Sequence, residues 1–118
     1  MMTERQERGA LGEQTAVDYL RKRGFLIVER NYRIGHSEVD IIAQRYDELH
    51  FVEVKTRKRG SMTTPESSIN EQKVRALRRA ASAYMAMRRS RLEPRFSLLT
   101  VEVVGTEVVG VEFIEDMI

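Results

Sequence analysis

The sequence predicts an α/β domain: one mixed β-sheet flanked by helices, in the order α-β-β-β-α-β-β. Three observations predict it. Two stretches repeat apolar residues every three to four positions, the spacing of a helix that buries one face. Five short segments rich in β-branched residues alternate apolar and polar side chains between turn-forming residues. The chain of 118 residues, 42% of them hydrophobic, can fill one core but not two, so residues 1–118 are read as a single domain.

Taken in order, Leu11, Ala16, Val17 and Leu20 share the apolar face of a first helix from about Gly9 to Arg23. Arg21, Lys22 and Arg23 suit the negative end of its dipole, and Gly24 is a natural residue to end it. "FLIVERNYR" reads as a strand, "SEVDIIAQ" as a second, "RYDE" as a turn and "LHFVEVKTR" as a third strand. "KRGSMTTPESS" has the composition of a loop. A long helix then runs from about Pro65 to Leu92, with Ile69, Val74, Leu77, Ala80, Ala81, Tyr84, Met85 and Met87 inward and Pro94 as its stop. "RFSLLTVEVV" and "EVVGVEFIE" close the chain as a hairpin around Gly105 and Thr106.

The absence of cysteine excludes a disulfide framework and a thiolate zinc site. The charged start "MMTERQERG" lacks the apolar region of a signal peptide, and no apolar run approaches the ~18–20 residues of a membrane span, so a cytoplasmic protein is expected. Charge is segregated along the chain. Between Gln72 and Arg95 stand Lys73, Arg75, Arg78, Arg79, Arg88, Arg89, Arg91 and Arg95 against Glu93 alone, and beyond Arg95 there is no Lys or Arg. Such a segment fits either a polyanion partner or a solvated helix face.

The third strand raises the chemical question. In "FVEVKTR", Glu53 and Lys55 share a face with Leu49 and Phe51. A hairpin centred between Tyr46 and Asp47 sets Asp40 directly opposite Glu53. Two facing carboxylates repel unless one holds a proton or a cation sits between them. Hard divalent cations such as Mg²⁺ take one or two carboxylates plus waters. Lys55 would stand beside that cation, where an ammonium can orient water or offset charge on a phosphate. Glu13 is the polar member of the stripe Glu13, Ala16, Val17, Leu20, and would be aimed at the sheet. Read on spacing alone, Glu53 and Lys55 are equally a surface ion pair, and Glu13 a frayed first-turn acid. His50 points to the face opposite Glu53, as a packed or solvated side chain.

"GALGEQTAVDYLRKRGFLIVERNYR", "SEVDIIAQ" and "LHFVEVKTRKRG" together resemble the YraN-like family of small bacterial predicted nucleases. That family is similar to the restriction-endonuclease-like PD-(D/E)XK superfamily and to Holliday-junction resolvases, and the likeness spans nearly the whole chain. It implies a restriction-endonuclease-like core with Asp40 and Glu53 as ligands of Mg²⁺ or Mn²⁺, the Val54 carbonyl as a candidate third ligand, Lys55 as catalytic lysine and Glu13 as an auxiliary acid. It further implies DNA as partner, branched DNA in repair or recombination included, with Gln72 and Lys73 contacting its backbone. Arg57, Lys58 and Arg59, on the chain leaving the third strand, are placed to hold phosphates. Val39 stands where the motif has proline, and Ser37 where the family has glycine. A homodimer is the further expectation, paired through the apolar "VVGVEFI" edge. The alternative function is a binding or assembly module that keeps the fold without cutting.

Overall fold

The structure, a computed structural model, describes residues 1–60 and 70–116. Helix α1 (Glu4–Lys22) is followed by β1 (Leu26–Ile34), β2 (Ser37–Arg45), β3 (Glu48–Lys58), α2 (Glu71–Arg88), β4 (Glu93–Val104) and β5 (Glu107–Ile114). The strands form one sheet in the order β1-β2-β3-β4-β5. Only β3 and β4 run parallel; every other pairing is antiparallel, so the sheet is mixed. The element order is the one the sequence predicts.

Helix α1 starts five residues earlier than its apolar spacing suggests. Thr3 and Gln6 close a capping box: the Thr3 hydroxyl accepts from the Gln6 N–H at 3.1 Å, and the Gln6 side chain accepts from the Thr3 N–H at 2.9 Å. Gly24, at φ +89°, ends the helix as expected. Between the ends, Ala16, Val17 and Leu20 are fully buried against Ile41, Ala43, Val52, Leu99 and Val101. Gly12 permits this close seating, because a Cβ there would lie 2.9 Å from the Thr56 Cβ and nearer still to its hydroxyl.

Helix α2 covers the opposite face. Leu77, Ala80, Ala81 and Tyr84 pack on Val39, Ile42, Leu49 and Phe51. Asn70 caps its start, accepting from the Lys73 N–H at 2.9 Å. The expected start at Pro65, the inward Ile69 and most of the expected loop lie in 61–69, outside the described residues. At the other end the helix stops at Arg88 rather than Leu92, because Arg89 takes a left-handed conformation at φ +51°. Pro94 is therefore not the stop; it is the second residue of β4 and pairs with Leu49. Met87, expected inward, is 65% exposed; the inward side chains of α2 end at Tyr84 and Met85.

Covered on both faces, β3 buries Leu49, His50, Phe51 and Val52 in succession, as its parallel neighbour β4 buries Ser97 to Val101. The β4–β5 hairpin turns at Gly105, φ +60°, leaving β5 as the sheet edge on which the dimer expectation rests. Among the described residues no helix is long and apolar enough to cross a membrane.

The Gly12 contact yields a test of this packing. Gly12→Ala should destabilise the protein by ~1–3 kcal/mol despite alanine's better helix propensity. Thr56→Ala in the same chain, which removes the hydroxyl and methyl but keeps the Cβ, should recover part of the loss in thermal melts. A stable Gly12→Ala single variant would contradict the close seating of α1.

Candidate active site

The central hairpin turns through Tyr46 and Asp47, with Tyr46 at φ +57°. Its ladder runs from Arg45↔Glu48 to Ile41↔Val52, the register expected from the sequence, and stops there. Asp40 and Glu53 are next in line but do not pair. The Asp40 carboxylate accepts from the Val54 N–H at 2.8 Å, taking up a donor on the strand edge that the ladder has left. β2 also loses its alternation at this point: Val39 and Ile42 pack toward α2, while Ile41 and Ala43 pack toward α1. On the neighbouring strand Asn31 takes φ +51°, between Arg30↔Ile41 and Tyr32↔Val39. The sheet is irregular on both strands beside Asp40.

A cleft of about 640 Å³ opens there, lined by Glu13, Asp40, Val54, Lys55 and Thr56, and by Arg5, Arg8 and Gly9 of α1. Glu13 sits in the middle of α1, not in a frayed first turn. Its Oε1 accepts from Asn31 at 2.8 Å and from Arg30 at 3.1 and 3.2 Å. Lys55 is exposed and makes no ion pair among the described residues. Glu53 is reached from the α2 side by the Lys73 ammonium at 3.4 Å, on the face it shares with Leu49 and Phe51.

Burial, and after it the Glu53 carboxylate, pushes the Asp40 carboxyl up from 3.8 to about 7; Glu38 and Glu13 add to the push, and the Val54 N–H opposes it. Asp40 thus sits in negative potential from three other acids, which a bound cation would relieve. The acids do not form a closed cage: among the described residues, the only three His, Asp or Glu groups with ligand atoms within 4.8 Å of one another are Glu48, His50 and Glu115. The donor set around Asp40 fits an ion that keeps several waters, as Mg²⁺ does. These residues could hold it: Asp40, Glu53 and the Val54 carbonyl.

The remaining expected phosphate contacts are spread out. Lys73 is engaged with Glu53, and Gln72 is exposed beside it. Lys58 is exposed, Arg59 lies 3.9 Å from Glu102, and Arg57 lines a separate small depression with Thr100 and Glu102. The sequence reading missed Arg5 and Arg8, although the T-x-x-Q capping signature places both inside α1 and on the Glu13 stripe. It also missed the Glu48 cluster. His50 is buried, with Nε2 3.1 Å from Glu48 and Nδ1 3.1 Å from the Ser97 hydroxyl. Arg95, and then His50, hold the Glu48 carboxyl below the usual range, while Arg45 bonds Glu115 at 2.8 Å. With both acids already paired to arginines, this cluster is an ion-pair network that ties β3 to β4 and the C-terminal turn.

Residues 12–101 match the uncharacterised protein family UPF0102. The chain is 43% identical over 100 residues to a UPF0102 protein of Bacteroides thetaiotaomicron, covering 85% of this chain and 83% of the relative. It is 42% identical over 108 residues to one of Syntrophotalea carbinolica, covering 91% and 88%. The chain belongs to the UPF0102 family. This is the YraN family that the three quoted segments resemble. The UPF0102 match begins at Gly12, beside Glu13, and runs through β2 and β3 into β4, so it takes in Asp40, Glu53 and Lys55 but not Arg5, Arg8 or Gly9.

The raised Asp40 carboxyl has a stability consequence. The folded protein keeps this proton up to about pH 7, whereas the unfolded chain releases it near 3.8. The native state is the better proton binder in that window, so Asp40 costs stability as pH rises through it. Asp40→Asn, whose amide oxygen can still accept from Val54, should raise stability by ~1–4 kcal/mol at pH 8 and leave it unchanged near pH 3.5. Denaturant melts at the two pH values check this, and an equal effect at both would contradict it.

Proposed function

We propose that this protein is a metal-dependent nuclease that hydrolyses DNA phosphodiester bonds at the cleft beside Asp40. One observation carries the reading: a carboxyl raised to about 7 by burial and neighbouring acids lies in an open cleft with a lysine that has no ion pair among the described residues. A binding module has no use for that arrangement, whereas phosphodiester hydrolysis needs an anionic cation site and a positive charge at the phosphate. The likeness to PD-(D/E)XK nucleases, drawn from the order helix Glu, strand Asp, Glu-X-Lys, points the same way.

Each residue has a distinct task in this reading. Asp40 and Glu53, with the Val54 carbonyl, would hold Mg²⁺ or Mn²⁺. When bound, such an ion supplies Lewis-acid polarisation of a phosphoryl oxygen. Asp40 must be ionised to serve as a ligand, and the Val54 N–H favours its charged form and fixes its direction. Lys73 holds Glu53 from the α2 side. Lys55, exposed and without an ion pair among the described residues, is placed to offset negative charge that builds on the phosphate or to orient the attacking water. Glu13, its Oε1 anchored by Arg30 and Asn31, adds a carboxylate to the cleft wall. Branched DNA of the kind met in repair is the substrate form that the resemblance favours.

Purified protein incubated with linear, flapped and four-way DNA should cut at least one of them in Mg²⁺ or Mn²⁺ and none in EDTA. Glu53→Gln and Lys55→Ala should each reduce cutting by at least ~100-fold while melting as folded proteins. Cutting that persists in EDTA or in both variants would falsify the assignment. Salt-dependent DNA binding without any cutting would favour the module that binds without cleaving.

A further inference from the structure

Helix α1 carries one continuous stripe whose two halves do different things. Its positions 5, 8, 9, 12, 13, 16, 17 and 20 fall at steps of three and one, a single helical face. The second half, Ala16, Val17 and Leu20, is buried on the sheet, and Gly12 is seated against Thr56. The first half, Arg5, Arg8 and Gly9, lines the cleft.

All three of these residues sit badly for stability. Gly9 is inside a helix, where glycine is the poorest ordinary helix former, yet a Cβ there would meet nothing within 4 Å. Packing explains Gly12 and does not explain Gly9. Arginine in the first turns of a helix is opposed by the macrodipole. Arg8 has a side chain only 21% exposed, and its ion pair is a 3.8 Å contact to Glu4, which is 82% exposed. Arg5 makes no ion pair among the described residues. An arginine side chain with one distant ion-pair partner among the described residues, a second cation one turn away and the exposed backbone at Gly9 make a surface suited to an anion that approaches closely.

We propose that Arg5, Arg8 and the exposed backbone at Gly9 form a phosphodiester-binding subsite, which takes a DNA phosphate neighbouring the one held at Asp40 and Lys55. The proposal rests on the reading of the cleft as a nuclease site. Guanidinium forks match phosphate oxygens two at a time, and the missing side chain at residue 9 lets the sugar–phosphate chain lie against the helix. The subsite sets how the strand enters the cleft, so α1 serves as one wall of the DNA path as well as a core helix.

Binding is measured with a fluorescent DNA duplex in EDTA, so that no cleavage intervenes, across a range of salt. Gly9→Ala should melt about 3–5 °C higher than wild type yet bind DNA about 3–10-fold more weakly, a combination that a merely structural role cannot produce. Arg5→Ala with Arg8→Ala should bind about 10–100-fold more weakly and reduce the log–log salt slope by about 2. Arg21→Ala with Lys22→Ala, the same charge change at the far end of α1, is the comparison and should stay close to wild type. The subsite is overturned if the Arg5/Arg8 variant loses no more affinity than that comparison, if Gly9→Ala binds as wild type does, or if wild type binds no DNA. The nuclease reading is judged separately, by cutting in Mg²⁺. Stripe variants that bind normally beside a wild type that cuts remove only the subsite; stripe variants that lose affinity beside a wild type that never cuts remove only the nuclease.

Discussion

The hydrogen bond from the Val54 N–H to the Asp40 carboxyl is the contact around which the rest is arranged. It lies where β2 stops pairing with β3, one residue past Ile41↔Val52. β3 continues to Lys58 in register with β4, so from Glu53 onward its other edge is released to the cleft. A released edge next to a packed core leaves backbone donors that need partners. Asp40 supplies one, and is thereby held among Glu53, Glu38 and Glu13, where its ionisation is unfavourable. The end of the ladder, the broken alternation of β2 and the perturbed acid are one structural event.

Helix α1 encloses that event in a cleft. Its apolar half is fixed by the sheet and by the Gly12 seat, which orients the stripe beyond it. Glu13 stands at the boundary, its Oε1 held by Arg30 and by Asn31, whose left-handed backbone lies opposite Asp40. α2 contributes from the other face through Lys73. The features that line the cleft are poor for stability: a carboxyl pushed up to about 7, arginines at the positive end of a helix and a glycine with no packing need. Sites commonly trade stability for function in this way.

Much of this was legible in the sequence, for physical reasons. A two-residue turn and strict alternation leave the β2–β3 hairpin one register, so its pairing as far as Ile41↔Val52 was legible, while the expected facing of Asp40 and Glu53 fails because the ladder ends one position short of them. Apolar spacing gave both helices and the face each buries. What escaped was local backbone geometry at residues other than glycine. Nothing in "RNYR" signals a left-handed Asn31, and nothing in "MRRSRLEPR" ends α2 at Arg89 rather than at the proline. The turn of Asp40 toward Val54 follows from the ladder ending early, which is a tertiary event. The Glu48, His50 and Glu115 cluster closes through a contact between chain segments far apart in sequence, where spacing carries no signal. Arg5 and Arg8 were within reach, because the Thr3 and Gln6 capping pair marks the true start of α1.

The central claim is that the acids at the end of the ladder form a cation site, and thermal melts with and without Mg²⁺, in the absence of DNA, test it most directly. Wild type should be stabilised by mass action, by about 2.7 kcal/mol once Mg²⁺ reaches 100 times its dissociation constant. Asp40→Asn and Glu53→Gln should show little of that gain. Equal Mg²⁺ shifts in the three proteins, or none in wild type at high Mg²⁺, would contradict the claim.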